Sequence, residues 1–244
     1  MAAAPAADAL VIGPPGRERD RLAEAVGGAG LSALALTEAE ALAQRGLTPP
    51  RLVVLARGGP RAEREAAQVR VLSHPALHGA PLLVVAPETD VDSYGGALAR
   101  GAAAYLAAES GPAEVRDLAR RLARAGDRRR PSEARPDRPD RRRSRRPLLL
   151  KVEVEDRARN ARLAGHIVDV GLSGCRLELA DPLPRGAPVG LHLLAYHETT
   201  GIVLGGAVRW TRPGEAGTHL VAVRFNGTSA VVARRLFGLR GSPE

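Results

Sequence analysis

Cysteine, methionine, tryptophan and lysine occur once each in this 244-residue chain, and aromatic residues amount to only 2% of it. A single thiol, Cys175, excludes an internal disulfide framework and a multi-thiolate metal site, and it agrees with a reducing compartment. The scarcity of aromatics leaves Leu, Val and Ala to fill the cores. No apolar run approaches the roughly 18 residues of a spanning helix, and the start MAAAPAADALVIG lacks the basic region of a signal peptide. The expectation is a cytoplasmic protein without membrane insertion. The histidines His74, His78, His166, His192, His197 and His219 are scattered without paired ligand spacing, and the thiol shows no basic partner on a helix start. Neither a metal centre, a cofactor nor catalysis is therefore expected.

What the chain does have is arginine. The net charge is +9, and its distribution says more than its size. Residues 127 to 146 hold ten arginines against Asp127, Glu133, Asp137 and Asp140, a net of +6, which leaves only +3 for the rest. This segment also carries Pro131, Pro136 and Pro139 and almost no apolar residue, so it cannot bury enough surface to offset its ordering entropy. It is expected to link two domains, each with a small core, as the chain length permits.

Before the linker, five continuous apolar runs of strand length appear: ALVIG (9 to 13), SALAL (32 to 36), RLVVLA (51 to 56), PLLVVA (81 to 86) and AAYLAA (103 to 108). Such runs fit strands buried on both faces. Between and after them lie RERDRLAEAVGGAG, TEAEALAQRG, RAEREAAQVRVLS, DVDSYGGALARG and GPAEVRDLARRLARAG, with apolar residues three or four apart and glycine at most ends, as helices require. In the last, Val115, Leu118 and Leu122 form the apolar stripe. Five βα units in series predict a doubly wound, parallel five-stranded sheet.

Over residues 8 to 125 this pattern resembles a response-regulator receiver domain, with PPRLVVLARGGP (49 to 60) and GAAAYLAAES (101 to 110) as the local matches. The family's chemistry needs an acidic pair after the first strand, a nucleophilic aspartate after the third, a hydroxyl after the fourth and a lysine after the fifth. The matching positions read Gly13 and Pro14, then Ala56, Ala86 and Ala108. The chain's one lysine, Lys151, lies outside the region altogether. Arg57 and Thr89 are conceivable substitutes, but they have neither nucleophile nor cation to act on. No phosphoacceptor is expected. Two readings remain: a scaffold that docks to another copy or another protein, or a sheet that retains a small-molecule input at its strand ends. Glu88, Asp90 and Asp92 precede or open a helix, where carboxylates complement the dipole, and are not expected to bind metal.

After the linker the period changes. PLLLKVEVE (147 to 155), RLAGHIVDV (162 to 170), CRLELA (175 to 180), PVGLHLLA (188 to 195), IVLGGAVRW (202 to 210) and THLVAVRF (218 to 225) are strand-length and partly alternating. DRARN, GLSG, PLPRGA, ETTG and RPGEAG supply turn chemistry between them. Six antiparallel strands predict a small closed barrel, which removes exposed edges. TSAVVARRLFGL then reads as a C-terminal helix with Val231, Val232, Leu236 and Phe237 as its apolar stripe. Cys175 and Trp210 are expected in the core.

The arginines of RRRSRR (141 to 146) at the barrel entrance, together with DVGLSG after the second strand, resemble the PilZ domain over about residues 141 to 240. That family is a bacterial receptor module for cyclic di-GMP. Its R-x-x-x-R motif is matched by Arg142 and Arg146, with Arg141 adjacent, and its D-x-S-x-x-G motif by Asp169 and Gly174. Gly171 stands in the serine position. The resemblance implies that Arg142 and Arg146 bind phosphates and guanine faces or edges and that Asp169 accepts from a guanine. The residue types suit the ligand on their own terms. Cyclic di-GMP is a dianion with two purine faces, guanidinium can clamp phosphate and stack on a base, and a carboxylate can accept from guanine N1 and N2. Losing the serine hydroxyl removes one hydrogen bond, about 0.5 to 1.5 kcal/mol.

The sequence thus predicts a pseudo-receiver at 1–126, an Arg/Pro-rich linker at 127–140 and a PilZ-like barrel at 141–244. The expected function is that of a non-catalytic cyclic di-GMP effector signalling through protein contacts. A PilZ fold without the ligand, acting as a scaffold in a motility, pilus or polysaccharide pathway, stays open. Nucleic-acid binding by the arginine-rich linker, which would be salt-sensitive and sequence-blind, is not expected, for want of an aromatic platform or a reading helix.

Overall fold

The structure, a computed structural model, describes residues 7–44, 48–87, 91–127, 146–195 and 198–237. The chain divides into two compact units, one built on a sheet and one on a barrel.

In the first unit the apolar runs become five short strands, β1 (Ala9–Ile12), β2 (Ala33–Leu36), β3 (Leu52–Ala56), β4 (Leu82–Ala86) and β5 (Ala104–Ala107). They pair in parallel in the order β2-β1-β3-β4-β5, the doubly wound order implied by the receiver resemblance. Every residue of β1, β3, β4 and β5 is buried, whereas the edge strand β2 is mostly half-buried. Helices α1 (Arg17–Gly27), α2 (Glu38–Ala43), α3 (Arg61–Ser73), α4 (Val91–Ala99) and α5 (Pro112–Asp127) supply the crossovers and cover. α2 opens on a reciprocal capping box, Thr37 accepting from the Glu40 N–H and Glu40 from the Thr37 N–H. Leu10, Ile12, Leu22, Leu52, Leu82, Leu98 and Leu122 are fully buried, each contributing about 1.5 to 3 kcal/mol. Leu118 of the expected α5 stripe is only half-buried, and Ala119 takes the inner position.

A polar stitch closes the lower edge of this sheet. Asp8 Oδ2 accepts from the Ser32 N–H at 3.1 Å and from its hydroxyl at 2.9 Å, while Arg51 donates to Asp8 and, from Nε at 2.7 Å, to Asp127 at the end of α5. The Ser32 N–H foremost holds the Asp8 carboxyl below its usual range; burial, the next largest effect, opposes it, and the Ser32 hydroxyl and the Arg51 guanidinium add to the lowering. A carboxyl depressed in the fold contributes stability above its unfolded value and loses it as pH falls through its folded value. Asp8→Asn is therefore expected to lower the thermal midpoint of this unit at pH 7. The gap from the parent should close as the pH drops below about 4, which paired melts at pH 7 and pH 3 would measure.

The second unit is a closed antiparallel barrel of β6 (Arg146–Asp156), β7 (Ala161–Gly171), β8 (Gly174–Leu179), β9 (Pro188–Ala195), β10 (Glu198–Pro213) and β11 (His219–Phe225), in the order β10-β11-β8-β7-β6-β9. Alternation is clearest in β8, where Cys175, Leu177 and Leu179 are buried and Arg176 and Glu178 face outward. Cys175 is in the core as expected, whereas Trp210 is half-buried. β10 starts earlier than its apolar run: ETTG, read from sequence as a turn, belongs to the strand, where β-branched Thr199 and Thr200 favour extended backbone.

A second correction concerns α6 (Gly227–Leu236), capped by the Asn226 side chain accepting from the Ser229 N–H at 2.8 Å. Val231 and Val232, expected on its buried stripe, are 66% and 39% exposed. Phe237 of the expected stripe is buried, and the inward positions that go with it are Ser229 and Ala233, each four residues apart. Ser229 faces inward because its hydroxyl accepts from the Gly205 N–H of β10 at 2.8 Å, so a polar residue sets the phase of the helix. No helix among the described residues is long and apolar enough to cross a membrane.

Candidate functional site

Three consecutive strands assemble the residues that the sequence separates. β6 and β7 are antiparallel in a register that pairs Arg146 with Val170 and Pro147 with Asp169, followed by a shift on β6 before Leu150. The end of the arginine motif thereby lies beside the aspartate motif, between Asp169 and Gly171 on the neighbouring strand. β7 and β8 pair Asp169 with Arg176 and Gly171 with Gly174, so Leu172 and Ser173 form the hairpin loop. Arg141 and Arg142 lie outside the described residues. So do Glu88 and Asp90 of the acidic group, and Thr89.

Asp169 is only 4% exposed. Its Oδ2 accepts from Nε of Arg176 on β8 and is ion-paired with that residue's Nη2. The carboxylate expected to receive a guanine is thus engaged by a guanidinium whose side chain remains 34% exposed. Sequence reading missed Arg176. Its signal was available only as an outward position two residues beyond Gly174 in an alternating strand.

The row continues across the barrel. Arg176 pairs with Ala222 on β11, and Ala222 with Trp210 on β10. The small alanine separates the guanidinium from the indole, and the Arg212 guanidinium carbon lies 4.1 Å above the Trp210 ring centre, a cation–π contact. Asp169, Arg176, Ala222 and Trp210 therefore form one transverse line of anion, cation, spacer and aromatic.

Gly174 has a structural role. A Cβ there would overlap the Val223 carbonyl oxygen and crowd Arg224 Cα on β11, so the motif glycine lets the hairpin press against the neighbouring strand. The loop is held from two further directions: the Phe225 N–H donates to Ser173 O at 3.0 Å, and Arg234 Nε of α6 donates to Leu172 O at 3.2 Å.

In the first unit, Ala56 closes β3 and Ala108 follows β5, the places the resemblance gives to the aspartate and the lysine. At Gly13 a Cβ would sit 2.5 Å from the Ala56 carbonyl oxygen, so no acidic side chain fits there. The β5–α5 corner is tied down by Arg21 of α1, which donates to the carbonyls of Ala108 at 2.6 Å and Ser110 at 3.0 Å.

Residues 140–239 match the PilZ domain family. No curated protein matches the sequence. Among solved structures the chain is similar to the Bacillus subtilis inhibitor of motility MotI/DgrA, at 16% identity and a TM-score of 0.32 over 43% of this chain and 54% of that one. The chain thus spans about half the length of that protein. It is also similar to the PilZ domain with c-di-GMP of YcgR from Escherichia coli, at 17% identity and a TM-score of 0.29 over 40% of this chain and 88% of that one. A third similarity is to the Mn(2+)-bound response regulator Rcp1, at 13% identity and a TM-score of 0.36 over 46% of this chain and 89% of that one. No catalytic family is indicated. The line of charge on β7 and β8 is therefore part of a PilZ domain, which in this chain follows a five-stranded sheet of receiver topology.

Proposed function

We propose that this protein is a non-catalytic, cytoplasmic effector whose barrel binds cyclic di-GMP and whose sheet unit relays the event through protein contacts without phosphorylation. The proposed parts are a pseudo-receiver at 1–126, a linker at 127–140 and the PilZ barrel at 141–244. The observation that carries the reading is the β6–β7 register, which sets Arg146 beside Asp169 and Gly171. Arg141, Arg142 and Arg146 clamp the phosphates and cover a guanine. Asp169 accepts from a guanine edge and, through Oδ2, holds Arg176 in position for the same ligand. Gly171 supplies no hydroxyl, and Gly174 keeps the hairpin in place.

The pairing of Asp169 with Arg176 favours a second reading. If that pair satisfies the carboxylate fully, the domain is an adaptor that leaves cyclic di-GMP unbound. Isothermal titration of the full chain with cyclic di-GMP decides between them. Saturable binding is expected, weakened at least about tenfold by Arg142→Ala and by Arg146→Ala, since each removes a charge-assisted contact of about 1.5 to 3 kcal/mol. Unaltered affinity in both variants removes the assigned site, and absence of binding by the parent protein selects the adaptor.

A further inference from the structure

A cavity of about 630 Å³ opens at the carboxyl ends of β1, β2 and β3. The chain leaves β1 for β2 on one side and returns to β3 on the other, so the cavity occupies the crevice where doubly wound sheets bind ligands. Its size falls in the range of small-molecule sites. Ile12, Pro14, Leu42, Leu55 and Ala56 give it apolar walls, with the exposed Ala39 of α2 also on its lining. Phosphoryl chemistry does not account for it. The nucleophile position is Ala56, and the tight fit of Gly13 against the Ala56 carbonyl excludes an acidic residue there.

Two guanidiniums line the same space. Glu38 holds them side by side, its Oε2 accepting from Arg57 Nη1 and its Oε1 from Arg70 Nε at 2.5 Å. Glu63, mostly exposed, stands 3.5 Å from Arg57 Nη2. Two guanidiniums carry ten N–H donors, and among the described residues these three contacts engage only a few of them. Both oxygens of Glu38 are used, one on each arginine, so the carboxylate aligns the pair without saturating it. Surplus donors beside an apolar wall match a molecule with one oxyanion head and an apolar body.

We propose that this cavity is a receptor site for a small organic anion of that kind, its carboxylate, phosphate or sulfonate held between Arg57 and Arg70 and its apolar part against Pro14, Ala39 and Leu42. The site lies wholly within the sheet unit and does not depend on what the barrel binds. It would give the receiver-like unit an input of its own in place of phosphorylation.

The probe is 1-anilinonaphthalene-8-sulfonate, a naphthalene body with one sulfonate, titrated by fluorescence into the full chain. Saturable single-site binding is expected, displaced by decanoate and not by inorganic phosphate at equal concentration. Ala39→Trp, which fills the space from an exposed position, is expected to weaken the probe at least tenfold, and Arg70→Ala about tenfold, with circular dichroism and thermal midpoint preserved. Should Ala39→Trp disturb folding, Arg70→Ala decides alone, since its side chain is half exposed. Unchanged probe affinity in the folded variants, displacement by phosphate as effective as by decanoate, or non-saturable binding would each overturn the proposal.

Discussion

Gly174→Ala is expected to destabilise the barrel by about 3 kcal/mol and to lower its unfolding midpoint by on the order of 10 °C. The added methyl meets backbone atoms, the Val223 carbonyl oxygen and Arg224 Cα, and backbone cannot swing aside as a flexible side chain would. Relief requires β8 to move away from β11, which strains the pairs Cys175 with Val223 and Arg224 with Gly174. It also pulls the hairpin loop from the Phe225 N–H that holds it. Scanning calorimetry of the variant measures the effect. Gly227→Ala is the control, because a Cβ at that position meets nothing within 4 Å. A Gly174→Ala midpoint as close to the parent as that of Gly227→Ala would show that the glycine is not needed for packing. Loss of ligand binding in Gly174→Ala then reports a displaced hairpin, not a lost contact.

Arg176→Ala is expected to cost about 3 kcal/mol, and Asp169→Ala less, about 1 to 2 kcal/mol. The inequality follows from burial. Removing the guanidinium takes the ion-pair partner from a carboxylate that is 4% exposed, while removing the carboxylate leaves a guanidinium that solvent already reaches. The double variant should recover part of the Arg176→Ala loss, giving a coupling of about 1 to 2 kcal/mol in a denaturant-melt cycle. Additive losses would mean that the pair is incidental. Carrying the same four proteins through the cyclic di-GMP titration separates positioning from contact. If Asp169 acts by holding Arg176, removing it after Arg176 is gone should change affinity little.

Much of the first unit was legible because a strand buried on both faces writes itself as an uninterrupted apolar run, as in LVVLA and LLVVA. The ends of β10 and the phase of α6 were not. ETTG carries turn chemistry by composition, yet two threonines tolerate extended backbone, and the strand extends through them. In α6 the adjacent valines outweigh a serine on any hydropathy count, but Ser229 satisfies the Gly205 N–H and rotates the helix so that Val231 faces outward. At the site, Asp169 and Gly174 could be read from spacing along one stretch of chain. Arg176 could not, since its partnership with Asp169 exists only through cross-strand register, and register is set by the whole barrel. The cavity arginines illustrate the same limit: Arg57 could be noted as a substitute for missing receiver groups, but Arg70, thirteen residues away, joins it only through Glu38.

The described parts of the proposed dinucleotide site, from Arg146 to Arg176, come from neighbouring strands joined by tight connections. Their mutual contacts are of low contact order, whereas the pairings that shut the barrel, β6 with β9 and β8 with β11, join distant parts of the chain. Loop-closure entropy delays such distant pairings relative to local ones. The recognition elements are accordingly expected to form early, as a three-stranded nucleus, with β9 to β11 and α6 wrapping onto it later during folding.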